Sequence, residues 1–502
     1  MAGPSLVVRA LVALVLMLVF LATAVAAVVG LLLVAKWCFL VVPEIRGRGV
    51  IAMILAGLAC VAAALVVAWS VLPRPDRFEP PGPEVTAAEQ PALFAELRAV
   101  AAATGEAMPA HVYLVDDVNA FVTERGGLLG VGSRRVMGLG LPLLRTLTVS
   151  ELRAVIAHEM GHFYGGDTKL GPWIHKTRAS MVRTVINLGR AGQGAAAVHA
   201  FIPFLFAIVR APFLWQAKGY LRVSQAVSRA QEYSADGVAV RAEGVAALAG
   251  GLKKSHAAAL AHRLYLDNEI EPMVGRGVLP PVGEGFTRFL GNAQMSKLLD
   301  DVVAEELSTG QQDPYDSHPP LRQRIQAASR LGGPDRPADP RPAIALVRDP
   351  ETYEAAWIKK AVARALTEVS WAETPAYWQA AWREDVAEAR SALAGLTVAT
   401  LPRELPALTA LARRVHGERV HQASDAAIRG WAVGVVGAAL ALRLIDAGFT
   451  LIAEPGAPHR LVDGDRSVEP FKELAAWWRG EGPADAVADR YRALGLADRP
   501  LA

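Results

Sequence analysis

Two long segments without formal charge near the N-terminus most constrain what this 502-residue chain can fold into. The first runs for 26 residues from Ala10 to Ala35, and the second runs for 23 residues from Val50 to Leu72. A helix needs roughly 20 apolar residues to cross the hydrocarbon layer of a bilayer, so both segments predict transmembrane helices. The first segment is longer than the apolar core of a signal peptide, about 7 to 15 residues, which argues against cleavage.

The two predicted spans form a helix hairpin, so the N-terminus and everything after Leu72 are expected on one side of the membrane. Basic residues usually mark the cytoplasmic side. Three basic residues lie in the connector between the spans: Lys36, Arg46 and Arg48. Three others flank the opposite ends of the spans: Arg9, Arg74 and Arg77. Because the two sides are balanced, the flanks alone leave the orientation open.

The charge argues against a nucleic-acid-binding protein, and the cysteine content argues against a domain stabilised by disulfides. The chain has 52 basic and 49 acidic residues and a net charge of +3, so it has no excess of positive charge to neutralise a nucleic acid. Its only cysteines, Cys38 and Cys60, lie at the predicted hairpin, so no disulfide framework holds a soluble domain together. This cysteine usage suits a reducing compartment.

Two proline-rich segments, 73–84 and 332–342, divide the rest of the chain. Between them, residues 85–331 are predicted to form a domain in which a small sheet is followed by helices from 148 onward. The sheet is predicted from short apolar runs at 111–116, 119–123, 128–131 and 134–139. Residues 343–502 form a helix-rich region without a recognisable motif. The predicted fold class is therefore α+β and mostly helical, with an N-terminal transmembrane hairpin.

The run LRAVIAHEMGHFY carries the strongest chemical signal. Thr148 and Glu151 match a capping box that opens a helix, which places His158, Glu159 and His162 within one helical segment. Residues four apart lie on the same helix face, so both imidazoles can reach one zinc ion, while Glu159 can reach a water beside that ion. This pattern predicts a zinc site with a neighbouring general base.

A catalytic zinc needs a third protein ligand and an open position, so another segment has to contribute. The best candidate is the helical stretch SRAQEYSADGVAV, in which Glu232 and Asp236 lie four residues apart. Glu232 would bind the metal, and Asp236 would orient a ligating histidine through its other ring nitrogen. By spacing alone, such a pair is more often a solvated helix face.

Three separated motifs resemble those of the HtpX-like membrane proteases and the CAAX prenyl endopeptidases, which are membrane zinc metalloendopeptidases of the gluzincin type. The motifs are ELRAVIAHEMGHF at 151–163, SRAQEYSAD at 228–236 and SHPPLRQRI at 317–325. The step Asn119-Ala120-Phe121 also stands where such proteins carry a substrate-binding edge strand. The resemblance covers roughly residues 85–330 and implies a zincin-like metalloprotease domain behind the hairpin.

The resemblance also implies a role for each motif residue. It makes His158, His162 and Glu232 the ligands of one Zn²⁺ per chain, Glu159 the general base, and Asp236 a residue that orients a ligand. His318 and Arg324 would face the site from a later segment, with His318 either stabilising the oxyanion or acting as a reversible fourth zinc ligand. The residues expected to bind substrate are Asn119, Ala120 and Phe121.

The uncharged run 191–209 is long enough to cross a membrane, and HtpX-like proteins place two spans in this region. A single extra span is excluded, because His158 and Glu232 must reach the same ion from the same side. The preceding stretch carries Arg178, Arg183 and Arg190 and makes a poor partner span. We therefore expect a helical pair that packs in the domain or dips into the bilayer surface, with four spans as the alternative. Its apolar face would consist of Phe201, Phe204, Phe206 and Trp215.

These features predict a membrane-anchored zinc endopeptidase that cleaves unfolded or membrane-associated proteins, with protein substrates and the lipid bilayer as partners. A prenyl-cysteine substrate would need an apolar chamber lined by several more spans than this sequence supplies. The alternative function is a membrane-anchored binding or assembly factor whose zinc site is regulated or proteolytically silent. The expected location is the plasma membrane, multi-pass, with the catalytic domain on the cytoplasmic side by resemblance.

The shared metal predicts that both ligand segments lie on one face of the membrane, because each must approach the ion to about 2 Å. Cysteines placed near Asp167 and near Arg241, in a background without Cys38 and Cys60, should react with an impermeant thiol reagent from one side only. We expect that side to be cytoplasmic. Labelling from opposite sides would contradict the shared site, and labelling of both from outside would overturn only the orientation.

Overall fold

The computed structural model describes most of the chain and leaves short gaps between the described ranges. The described residues are 6–44, 46–72, 78–126, 133–163, 171–194, 201–310, 318–334, 336–362, 364–417, 420, 423–483 and 485–502. The predicted strand at 128–131, the linker residues 73–77 and Ser317 of the third motif lie outside these ranges. Helices predominate and the sheets are small, which confirms the predicted α+β class.

The elements are numbered here in chain order. The helices are α1 (Leu6–Val41), α2 (Arg48–Val71), α3 (Pro91–Thr104), α4 (Leu141–Thr146), α5 (Val149–Gly161), α6 (Gly171–Gly194), α7 (Phe201–Glu243), α8 (Val245–Tyr265), α9 (Glu271–Val274), α10 (Val282–Gly291), α11 (Ala293–Thr309), α12 (Leu321–Leu331), α13 (Pro350–Ala361), α14 (Thr374–Glu388), α15 (Arg390–Leu393), α16 (Leu405–His416), α17 (Asp425–Asp446), α18 (Pro470–Trp478) and α19 (Ala486–Ala493). The strands are β1 (Glu84–Val85), β2 (His111–Val115), β3 (Ala120–Arg125), β4 (Arg134–Gly140), β5 (Val278–Leu279), β6 (Thr367–Glu368), β7 (Thr450–Ile452), β8 (Arg460–Asp463) and β9 (Arg466–Val468).

The chain forms two compact units, and each has its own core. The first comprises Met1–His256 and Val303–Arg348, and the second comprises Ala257–Val302 and Asp349–Ala502. In the second unit α17 packs against α14 and α18, beside the sheet β7-β8-β9. The boundaries between these units, at 256/257, 302/303 and 348/349, differ from the predicted linkers. The predicted domain boundary at 332–342 therefore stays a prediction.

Three helices in the described part of the chain are long and apolar enough to cross a membrane. They are Leu14–Glu44, Gly49–Val71 and Asp425–Asp446. The first two correspond to the predicted hairpin, and their outward-facing side chains are large and apolar. The third lies in α17, where half of the apolar window is buried inside the second unit.

The uncharged run 191–209 is not one helix. It contains the end of α6 and the start of α7, which pack against each other in opposite directions, with Gly192 next to Phe206 and Gly189 next to Arg210. The expected helical pair is therefore present, and it packs against α1 and α2 in a common apolar core. Phe206, one of the four residues of the expected apolar face, is buried in that core.

The remaining members of the expected apolar face are exposed. Phe201, Phe204 and Trp215 have exposed fractions of 48%, 61% and 74%. A helix that pairs with a membrane hairpin keeps one side on its neighbours and turns the other outward, which explains why Phe206 differs from these three. Entry of this pair into the bilayer stays a prediction.

The small sheet of the first unit has the strand order β1-β2-β4-β3. β2 and β4 are parallel, whereas β1 and β3 each run antiparallel to their neighbours. β3 is therefore an edge strand, and among the described residues it pairs with β4 alone. It also lies beside α5, so the open edge of the sheet is close to the helix that carries His158 and His162.

The helices α5 and α7 cross at a glycine. A Cβ atom added at Gly161 would lie 2.9 Å from the Cα atom of Ala235 and 3.1 Å from the Cβ atom of Val238. The distance of 2.9 Å is shorter than the contacts that Cβ atoms make in proteins, and the atom it would meet belongs to the backbone of α7. A larger residue at position 161 would therefore force the two helices apart. Gly161 thus sets how closely α5 approaches α7.

We predict that Gly161→Ala destabilises the protein by about 1 to 3 kcal/mol, because overpacking a close helix contact costs about that much. The matched control is Gly219→Ala within α7, where an added Cβ meets nothing within 4 Å. There, alanine should raise stability by up to about 1 kcal/mol through helix propensity. Thermal unfolding of the detergent-solubilised variants measures both effects. Equal stability of Gly161→Ala and the parent would contradict the close packing.

Candidate active site

The candidate site begins with the start of α5, which its own sequence defines. Thr148 Oγ1 accepts the backbone N–H of Glu151 at 3.3 Å, and Glu151 Oε2 accepts the backbone N–H of Thr148 at 2.7 Å. This confirms the predicted capping box. Because the cap fixes where the helix begins, it also fixes which face carries each later residue.

His158 and His162 come together at the C-terminal end of α5. The helix ends at Gly161, His162 is its C-terminal cap, and the two imidazole rings lie edge to face with centroids 4.8 Å apart. One possible ligand atom from each of His158, Glu159 and His162 lies within 4.8 Å of the others. His158 is buried, whereas His162 and Glu159 are half-buried and reach toward solvent.

The third predicted ligand reaches the same point from α7. Glu232 Oε2 lies 3.5 Å from His158 Nε2, and Glu232 Oε1 lies 3.7 Å from His162 Nε2. Ligand atoms about 2.0 to 2.2 Å from one tetrahedral zinc ion are about 3.3 to 3.6 Å apart, so this donor set fits zinc. Glu232 Oε2 is buried, and its charged neighbours are His158 and the guanidinium of Arg324.

Asp236 lies one turn further along α7 and holds the far side of His158. Its Oδ1 atom is 3.0 Å from His158 Nδ1, and the side chain is almost completely buried. A carboxylate at Nδ1 fixes the ring so that Nε2 points toward Glu232 and the metal position. This is the contact expected of a residue that orients a metal-binding histidine.

Arg324 in α12 is buried against both carboxylates. Its Nη2 and Nε atoms donate to the two oxygens of Asp236 at 2.7 and 3.0 Å, and Nη1 lies 3.1 Å from Glu232 Oε2. This bidentate pair compensates the burial of two acidic side chains. The guanidinium therefore faces the ligand shell, and the predicted part of Arg324 in catalysis stays a prediction.

His318 lies at the mouth of the site. Its Nδ1 atom is 3.1 Å from Glu232 Oε1, yet 62% of its side chain is exposed. The structure thus brings the third motif to the site predicted from the first two, although 82 or more residues separate it from them along the chain. The imidazole of His318 is therefore accessible from solvent at the mouth of the candidate site.

Burial and charge move the pKa values of the site in different directions. Burial lowers the pKa of His158, but hydrogen bonds to Asp236 and Glu232 outweigh it and raise this pKa to about 9. Burial and the neighbouring His158 lower the pKa of His162 to about 4. Burial raises the pKa of Glu159, a direction that suits a general base.

The predicted substrate-binding residues lie at the open edge of the sheet. Ala120 and Phe121 are the first residues of β3, and the carbonyl of Asn119 just before it accepts the backbone N–H of Gly140 at 2.8 Å. In an antiparallel pair, alternate residues bond to the partner strand, so Asn119 and Phe121 face β4. The backbone groups of Ala120 and Val122 consequently face away from the sheet.

One contact next to the end of α5 is not indicated by any pattern in the sequence. The Arg135 guanidinium lies 4.3 Å from the ring centroid of Phe163, the residue after His162, and its Nη1 atom donates to Glu106 at 2.8 Å. Stacking of this kind holds the last turn of the helix in place. The position of Arg135 on a predicted strand gives no signal of a contact with Phe163.

Comparison with known proteins gives similarities along the same segment. Residues 87–331 match Peptidase family M48. A protein named Protease HtpX homolog from Tropheryma whipplei (strain Twist) is 26% identical over 291 residues, which are 56% of this chain and 84% of the relative. Protease HtpX from Pseudomonas savastanoi pv. phaseolicola (strain 1448A / Race 6) is 28% identical over 201 residues, 38% of this chain and 56% of the relative. No solved structure matches the chain.

The two carboxylates of α7 should differ in their effect on bound zinc. We predict that Glu232→Ala loses most of the metal, because it removes a ligand, whereas Asp236→Asn weakens zinc affinity by roughly 10- to 100-fold. Zinc content after gel filtration and chelator competition separate the two effects. Tyr233→Phe, in the same turn of α7 but bonded to Gln323, is the matched control and should keep the zinc. Full occupancy in Glu232→Ala would place the third ligand elsewhere.

Proposed function

Because residues 87–331 form an HtpX-like metalloprotease domain of peptidase family M48, we propose that this chain is a zinc-dependent membrane endopeptidase. It would hydrolyse peptide bonds in unfolded or membrane-associated proteins. The observation that carries the proposal is the donor set of His158, His162 and Glu232, whose spacing fits one zinc ion. Two of these residues come from α5 and one from α7.

Zinc bound by these three residues would supply Lewis acidity, activating a water and polarising the scissile carbonyl. Glu159 acts as the proton carrier. It follows the ligand His158 directly in α5 and, with its raised pKa, accepts the proton of the attacking water. It then returns this proton to the nitrogen of the leaving amine, which balances the hydrolysis.

The remaining side chains hold and order the reacting groups. Asp236 keeps His158 in one tautomer, and Arg324 keeps Asp236 and Glu232 charged and in place. His318 is exposed at the mouth and can donate a hydrogen bond to the developing oxyanion. In this proposal the buried residues Asp236 and Arg324 hold the metal ligands in place, whereas the exposed His318 contacts the substrate.

The open edge of β3 supplies a way to bind an extended peptide. A substrate segment added next to β3 would form backbone hydrogen bonds to Ala120 and Val122, whose N–H and C=O groups face outward. Backbone pairing gives affinity with little demand on side chains. This suits an enzyme that accepts unfolded segments of many sequences.

The predicted setting follows from the hairpin. Its two apolar helices anchor the domain in a membrane, which we propose to be the plasma membrane, with the catalytic domain on the cytoplasmic side. The substrates are then proteins at that surface, including damaged membrane proteins whose unfolded segments reach the edge of β3. The near balance of charges argues against a nucleic-acid partner.

The decisive variant is Glu159→Gln in the full-length, detergent-solubilised protein. It removes the proton acceptor but no zinc ligand, so we expect cleavage of an unfolded reporter to fall by about 10²- to 10⁴-fold with zinc content unchanged. Cleavage by the parent should also stop with a chelator and return with zinc. The control Glu384→Gln changes an exposed carboxylate of α14, in the second unit, and should leave both properties intact.

Two results would contradict the proposal. Unchanged turnover in Glu159→Gln would remove Glu159 from its role as base. A parent protein that binds zinc but cleaves neither unfolded nor membrane-associated substrates would favour the alternative of a membrane-anchored binding factor with a silent zinc site.

A further inference from the structure

The first turn of α5 contains four backbone N–H groups that have no acceptor within the helix. Two of them, those of Thr148 and Glu151, are satisfied by the capping box. The other two belong to Val149 and Ser150. They donate to the carbonyl oxygens of Arg341 and Asp339 at 2.9 and 3.3 Å. The start of the helix that carries both metal-binding histidines is therefore completed by residues almost 200 positions later in the chain.

Residues 339–343 form a strap across this end of α5. The N–H of Asp339 donates to Ser150 Oγ at 2.7 Å, and the N–H of Ala343 donates to the carbonyl of Leu147 at 2.9 Å. Thr148 and Pro342 form an antiparallel bridge between them. The strap includes the end of a segment predicted as a linker, yet it is paired with the domain. Its alternating prolines favour the extended backbone that such pairing requires.

Charged side chains fix the strap to the body of the helix. Arg153 of α5 donates from Nε to Glu96 of α3 at 2.6 Å, and its Nη2 atom lies 3.9 Å from Asp339. Arg341 of the strap donates to Asp339 at 2.6 Å. Glu96 and Arg153 expose only 14% and 25% of their side chains, so water screens this cluster less than an open surface pair.

We propose that the strap positions the metal-binding helix, with Ser150, Arg153 and Asp339 as positioning residues. This inference rests on the proposed function. The metal site needs α5 and α7 in a fixed relation, because His158 and His162 come from one helix and Glu232 from the other. α5 has only 13 residues and behaves as a short rod, so a shift of its first turn moves the histidines at its other end. Misplacement by about 1 Å is enough to reduce catalysis about 10²-fold.

The strap also joins the metal helix to whatever follows it in the chain. It leads through residues 343–346, which form a short 3₁₀ helix, to the end of the first unit at Arg348. The strap lies outside the segment that matches Peptidase family M48, which ends at residue 331. It therefore lies next to the matched segment rather than within it.

Two double variants test the strap in the full-length protein. Ser150→Ala with Asp339→Ala removes the side-chain contacts, whereas Pro340→Gly with Pro342→Gly loosens the backbone of the strap and leaves the side chains of Ser150 and Asp339 in place. Pro337→Gly makes the same type of change outside the paired residues and is the matched control. The measurements are hydrogen exchange of the Val149 and Ser150 amides, zinc affinity by chelator competition, and the separate values of kcat and KM.

We expect both double variants to exchange these amides at least about tenfold faster and to bind zinc about tenfold more weakly. The value of kcat should fall while KM stays within about twofold, because the edge of β3 is untouched. The control should match the parent in all three measurements. If one double variant does not fold, the other still gives the result.

Two outcomes would overturn the proposal. Faster exchange with unchanged zinc affinity in a folded variant would show that the strap caps the helix without positioning the metal site. Unchanged exchange in both variants would show that the strap does not cap the helix. Failure of the proposed function is a separate result, because it would leave the parent without proteolysis while exchange and zinc affinity still respond to the strap.

Discussion

The close approach of α5 to α7 is the constraint on which the rest of the site depends. Gly161 lets the two backbones meet, with Ala235 directly opposite and Glu232 and Asp236 on the same stretch of α7. Only at this separation do His158 and His162 share one point in space with Glu232. A metal at that point would in turn hold the helices together, because binding to a site that exists only in the folded state stabilises that state.

A second constraint is the electrostatic cost of burying so many charges in one place. Glu232, Asp236 and Arg324 are all buried, and a lone charge in such a position would be strongly unfavourable. The bidentate pair between Arg324 and Asp236 offsets this cost and leaves Glu232 between a guanidinium and the histidines. The balance explains why the third motif reaches into the site through Arg324 of α12, whereas His318 of the same motif remains exposed.

The site is attached at both ends to parts of the chain that are not catalytic. On one side, α7 continues from the helical pair that packs on the apolar hairpin, so the helix that carries Glu232 is also part of the membrane-associated core. On the other side, the strap of residues 339–343 completes the first turn of α5. The two helices that carry the candidate zinc ligands, α5 and α7, are thus each tied to a different element outside the site, which links the geometry of the candidate site to the apolar hairpin and to the later chain.

The sequence by itself determined the features that depend on near neighbours. Uninterrupted apolar length predicted the hairpin, the Thr148–Glu151 box predicted the start of α5, and helical spacing placed His158 and His162 on one face. Only the tertiary structure brought Glu232 to those histidines, occupied Arg324 with two carboxylates, turned Phe206 inward and folded a predicted linker over α5. The physical reason is that spacing along a helix is local, whereas burial and contacts between segments tens or hundreds of residues apart are set by how whole elements pack.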